Sequence, residues 1–162
     1  MRYLHNIGNL DNPNYTPLEK ILECNEAISF DGVYRSVYEN RHKLKGKQIT
    51  LFILGDWVGG DNHLDTGMPL ERMCSWKEIE ELVKELHCDI GWHTWTHRDL
   101  TTLSDEELDR ELTPEIPMDL FAYPYGNYDD RVIEAVSKKF KKAYGTESAD
   151  DETLLTLKRT SI

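Results

Sequence analysis

Short apolar runs alternate along this chain with stretches in which apolar residues recur every three or four positions, a pattern that predicts strands separated by helices. Residues 2–5 read as a first strand ending at His5, and Leu18, Ile21 and Leu22 fall at helical spacing over residues 16–23. Ala27-Ile28-Ser29-Phe30 reads as a buried strand that delivers Asp31. Gly32 breaks it, and Val33, Val37 and Leu44 mark one face of the helix that follows. Residues 48–54 are apolar nearly throughout, as in a strand buried on both faces. Ser75-Trp76-Lys77-Glu78 and Ser104-Asp105-Glu106-Glu107 are capping boxes that open two further helices, the second running through Leu112 with its acidic run on a solvated face. Strands are expected over 88–92 and 119–123, a helix over 128–140, and two closing strands over 143–146 and 154–157. Seven short strands alternating with helices predict a parallel α/β sheet or barrel, and polar residues gather after the strands, where such folds place their sites.

Composition narrows the picture. A chain of 162 residues, 39% hydrophobic and 30% charged, suits one soluble domain over 1–162 with a sizeable core. A formal net charge of -11 argues against nucleic acid or an anionic membrane surface as the main partner. Cys24, Cys74 and Cys88 are sparse and odd in number, which fits buried thiols in a reducing compartment. Neither a leader nor a membrane-spanning run is visible, so the expected location is cytoplasmic.

The candidate chemistry centres on Gly91-Trp92-His93-Thr94-Trp95-Thr96-His97, placed just after a short strand. Two imidazoles four positions apart can converge on one metal ion, because the second lies about a helical turn beyond the first. Thr94 and Thr96 could orient the imidazoles, although side-chain bonding to the backbone is their commoner role. Asp31 follows an earlier strand, Tyr123-Pro124-Tyr125-Gly126 follows a later one, and the long loop over 55–70 carries Asp56, Asp61, His63 and Asp65. Tyr123 and Trp95 are candidate platforms for a sugar ring.

Taken together, Ile28-Ser29-Phe30-Asp31-Gly32, the His93 to His97 segment and Phe121-Ala122-Tyr123-Pro124-Tyr125-Gly126 resemble three ordered motifs of the polysaccharide deacetylase family, the NodB-homology or carbohydrate esterase family 4 proteins. The resemblance implies a distorted (β/α)7 barrel. It implies an enzyme that removes acetyl groups from N-acetylated sugars with a divalent metal, zinc foremost, with cobalt, nickel or iron as competitors. On this mapping His93 and His97 match metal ligands and Asp31 matches the base. The Tyr125 backbone N–H matches an oxyanion donor, and His5 matches the acid of a branch that uses a first-strand histidine. One departure is sharp: where the family has a second, metal-binding Asp, this chain has Gly32. Asp31 could then bind the metal itself, which the Phe-Asp-Gly order suits. Otherwise Asp56, Asp61, Asp65 or His63 could replace the lost ligand, or the metal site is impaired. Two rival functions follow: a non-catalytic relative that binds a carbohydrate or a protein partner, and a hydrolase of a small non-sugar amide.

Overall fold

A computed structural model describes residues 1–8, 14–63, 69–146 and 152–162. Its centre is a curled, all-parallel sheet of β1 (Arg2–Leu4), β4 (Ile28–Asp31), β5 (Ile49–Ile53), β6 (Asp89–Trp92), β7 (Leu120–Ala122), β8 (Lys142–Tyr144) and β9 (Thr160–Ser161). The strand order is β8-β7-β6-β5-β4-β1-β9, and a separate two-stranded ribbon pairs β2 (Asn6–Ile7) with β3 (Tyr15–Thr16). β4 and β5 are buried along their whole length, as expected when helices cover a parallel sheet. The covering helices are α1 (Leu18–Glu23), α2 (Arg35–Asn40), α3 (Trp76–Leu86), α4 (Asp105–Glu111) and α5 (Asp130–Ser137).

Both expected capping boxes form. Ser75 Oγ accepts from the Glu78 N–H while the Glu78 carboxylate accepts from the Ser75 N–H, and Ser104 and Glu107 repeat the exchange. α5 starts at Asp129, whose side chain accepts from the Val132 N–H at 2.8 Å. Caps of this kind stabilise a helix by about 1 kcal/mol each. They matter here because these helices are short.

The expected last strand over 154–157 is corrected: the seventh strand is Thr160–Ser161, paired with β1. The segment before it joins the two edges of the sheet. Leu157 exchanges backbone bonds of 2.9 Å with Ala143 and Gly145 beside β8. Three residues later, the Thr160 N–H donates to the Met1 carbonyl beside β1 at 3.3 Å. Between these two pairings lies Arg159, whose side chain is buried and reaches Asp31.

The parallel register brings the polar strand ends to one face of the barrel. Leu4 pairs with Phe30, so His5 lies level with Asp31, and Asp31 pairs with Phe52. Ile53 pairs with Trp92, and the His93 N–H continues the ladder to the Ile53 carbonyl at 2.8 Å. This is the C-terminal face, where barrels of this type carry their sites.

Candidate active site

A cavity of about 190 Å³ opens on that face, and His5, Asp31, Trp57, His93, His97 and Tyr125 are among its lining residues. Asp31 is buried, and its Oδ1 accepts from Arg159 Nη1 at 2.5 Å. The same nitrogen donates to Ser29 Oγ at 3.0 Å, and Arg159 Nε donates to the Gly145 carbonyl at 3.2 Å. The guanidinium also lies 5.1 Å and 5.2 Å from the Tyr3 and Phe52 ring centroids, a cation–π arrangement. Burial alone would raise the Asp31 pKa. The Arg159 charge, helped by His93, outweighs burial and holds the carboxyl at about 2. Asp31 is therefore ionised at any pH at which the protein would work.

His93 is buried, and its Nδ1 lies 2.7 Å from the Ala122 carbonyl, an oxygen that can only accept. Nδ1 therefore carries the proton, and Nε2 presents its lone pair 3.9 Å from Asp31 Oδ2. Burial lowers the His93 pKa to about 4 against the opposing pull of Asp31. Burial, with His93 alongside, lowers that of His97 to about 3. The two rings stand edge to face with centroids 4.9 Å apart. Both are neutral at pH 7, as metal ligands must be.

The convergence of these rings does not come from helical spacing. Residues 93–97 form a loop, with left-handed backbone at Thr94 (φ 72°) and His97 (φ 57°). Non-glycine residues in that region cost of order 1–3 kcal/mol each, so the loop has to be held. The Gly55 and Asp56 N–H groups donate to the Thr94 and Trp95 carbonyls at 3.0 and 3.2 Å. Thr94 Oγ1 accepts from the His97 N–H at 3.0 Å, and Thr96 Oγ1 donates to Glu111 at 2.7 Å. Both threonine hydroxyls thus bond to groups other than the imidazoles, and the Ala122 carbonyl fixes the His93 ring.

The remaining sequence candidates are distributed unevenly. His5 is on the cavity wall beside Tyr3, at 6.2 Å between ring centroids. Tyr125 (φ 58°) is 63% exposed, and its ring lies 4.7 Å from that of His97. Tyr123 borders the cavity but is buried, with its hydroxyl donating to the Leu155 carbonyl at 2.9 Å. Trp95 faces away. It packs edge-on against Trp92, donates through Nε1 to the Thr113 carbonyl, and lines a shallow depression with Asp56 instead of the cavity. Arg159 was not singled out in the sequence.

Among the described residues of the long loop, Asp56, Asp61 and His63 do not line the cavity. Asp56 shares the Trp95 depression, Asp61 accepts from His63 at 2.8 Å in an exposed pair, and Asp65 lies outside the described residues. Gly32 has φ +74°, and a Cβ there would meet Leu54, Met73 and Tyr34 at 3.3–3.7 Å. A side chain would thus start toward the apolar cluster of Tyr34, Leu54, Trp57 and Met73. The donors fit a divalent ion in kind, as two neutral imidazoles and one ionised carboxylate. Yet among the described residues no three such side chains stand close enough together to hold one as arranged.

The polysaccharide deacetylase family model matches residues 26–142. A polysaccharide deacetylase from Bacillus cereus shares the fold at TM-score 0.67 and 20% identity, covering 99% of this chain and 63% of its own. The Streptococcus pyogenes deacetylase PplD, solved in complex with acetate, gives TM-score 0.68 at 19% identity over 90% of this chain and 70% of its own. IcaB from Ammonifex degensii gives 0.57 at 20% identity over 84% and 66%. This chain thus spans less than two thirds of the Bacillus cereus protein. No curated protein matches it. The match over residues 26–142 includes Asp31, both histidines and the Tyr-Pro-Tyr-Gly turn, and with the barrel it places the chain in the polysaccharide deacetylase family.

Proposed function

We propose that this chain is a metal-assisted hydrolase that removes the acetyl group from an N-acetylated amino sugar, with zinc as the ion that best matches its donors. The observation that carries the reading is a pair of neutral imidazoles and an ionised carboxylate lining one small cavity. At about 190 Å³ the cavity is smaller than the roughly 300–1,000 Å³ that encloses a drug-sized ligand. It suits an acetamido group, leaving the sugar ring at the mouth beside the exposed Tyr125.

His93 Nε2, a ring nitrogen of His97 and Asp31 Oδ2 are the atoms that would hold the ion. The ion's contribution would be to polarise the acyl carbonyl and acidify a water. With Oδ1 on Arg159 and Oδ2 toward the ion, Asp31 would supply the fixed negative charge of the ligand set, which leaves the role of base to another group. Held at about 2, it stays ionised, and the Arg159 bond orients it for that role. The Tyr125 N–H would stabilise the charge that develops on the acyl oxygen. His5, which also lines the cavity, delivers a proton to the departing amine. Among the described residues no helix is long and apolar enough to cross a membrane.

The test is calorimetric zinc titration with elemental analysis of wild type, His93→Ala and His97→Ala. One ion per chain, lost in both variants, is expected. A wild-type chain that takes up no zinc, cobalt or nickel while still binding amino-sugar oligomers would replace this reading with that of a non-catalytic carbohydrate-binding relative.

A further inference from the structure

Glu111, the last residue of α4, is a carboxylate only 4% exposed and set apart from the cavity. It follows Leu108 by three positions and precedes Leu112, both buried, so it occupies the inward stripe of its helix. Among the described residues, its side-chain hydrogen bonds go to the loop that carries the histidines. Oε2 accepts from the Trp95 N–H at 2.8 Å and from the Thr96 N–H at 3.0 Å, and Oε1 accepts from Thr96 Oγ1 at 2.7 Å. Its main-chain carbonyl accepts from Trp92 Nε1 at 2.7 Å, one residue before His93.

We infer that Glu111 is the positioning residue that sets His97 against His93. Thr94 and His97 are both left-handed, and the residues between them, Trp95 and Thr96, are the ones the carboxylate grips. A carboxylate with three donors converging on it offsets the cost of that backbone in a way a neutral side chain cannot match. Without it the loop can relax toward ordinary backbone angles, carrying the His97 ring away from its neighbour. The inference rests on the proposed function only in what the ring pair is for. The ring geometry can be read separately.

The experiment compares wild type with Glu111→Gln and Thr96→Val, first confirming the fold by far-UV circular dichroism. The magnetisation transfer (NOE) between the two imidazoles is then measured without metal, and zinc affinity by calorimetry. Glu111→Gln can keep one oxygen on the two backbone N–H groups but loses the negative charge that strengthens all three bonds, and should weaken both the ring-to-ring NOE and zinc binding, the latter about 10–100-fold. Thr96→Val removes one bond and should weaken zinc about two- to tenfold. A folded Glu111→Gln with the NOE intact and zinc affinity within twofold of wild type overturns the inference. If Glu111→Gln does not fold, Thr96→Val decides by the same criteria. If wild type binds no zinc, the metal reading fails and the NOE alone decides the role of Glu111.

Discussion

Replacing Arg159 by Met should destabilise the protein far more than a typical charge removal, because it leaves Asp31 charged, buried and unpartnered at Oδ1. Holding Asp31 at about 2 instead of 3.8 corresponds to about 2 kcal/mol of stability at neutral pH. Removing one partner of a buried pair costs more than that coupling alone, roughly 3–5 kcal/mol. The bonds to Ser29 and to the Gly145 carbonyl are lost as well. Arg159→Met should therefore lose about 3–5 kcal/mol in urea unfolding at pH 7, and Arg159→Met with Asp31→Asn should recover part of it, since no charge is then stranded. The loss should shrink toward pH 4. In the variant, burial is left to raise the Asp31 pKa above its unfolded value, so the folded state takes up the proton first and gains stability as pH falls. A loss below about 1 kcal/mol at pH 7, or no recovery in the double variant, would refute the view that Arg159 neutralises this carboxylate.

Acid sensitivity should be steep. His93 and His97 have folded pKa values of about 4 and about 3 against 6.5 when unfolded. Below pH 6.5 the unfolded chain takes up two protons that the folded chain refuses, so metal-free stability falls by about 2.7 kcal/mol per pH unit near pH 5. His97→Phe should roughly halve that slope in urea titrations from pH 7 to 4.5, and a flat wild-type profile would mean that the rings are solvated. At Gly126 (φ +73°) an added Cβ would meet Thr146 at 2.5 Å. Gly126→Ala should therefore lower the thermal midpoint by the equivalent of at least about 1 kcal/mol and reduce turnover through the adjoining Tyr125 turn, and an unchanged midpoint would contradict the close approach.

The motifs were legible because their residues directly follow strands whose apolar runs are plain in the sequence, and the parallel register places such residues on one face. The means of holding them was not. Arg159 lies in a polar segment with no periodicity, and its role depends on a partner, Asp31, 128 positions away in the chain. The last strand misleads in a similar way: Leu154-Leu155-Thr156-Leu157 has the apolar character of a strand, but Leu157 makes only a bridge to Tyr144, and the paired residues are Thr160 and Ser161. Glu111 left a readable trace, an acid on the Leu108–Leu112 stripe, hidden among neighbouring acids that are solvated. The helical explanation of His93 and His97 failed because tertiary bonds from Gly55, Asp56 and Glu111 dictate the backbone there. Gly32 was recognised as a departure. Its surroundings add that a side chain at this position would start toward apolar neighbours, so restoring an Asp would also have to overcome a left-handed backbone.

The most direct test of the account is acetate release from N-acetylglucosamine oligomers by the wild-type chain, with zinc supplied or chelated, beside Asp31→Asn. The account predicts acetate release that chelation abolishes and zinc restores, and that falls by at least about a hundredfold in Asp31→Asn. Release that continues undiminished in chelator or in Asp31→Asn would contradict it.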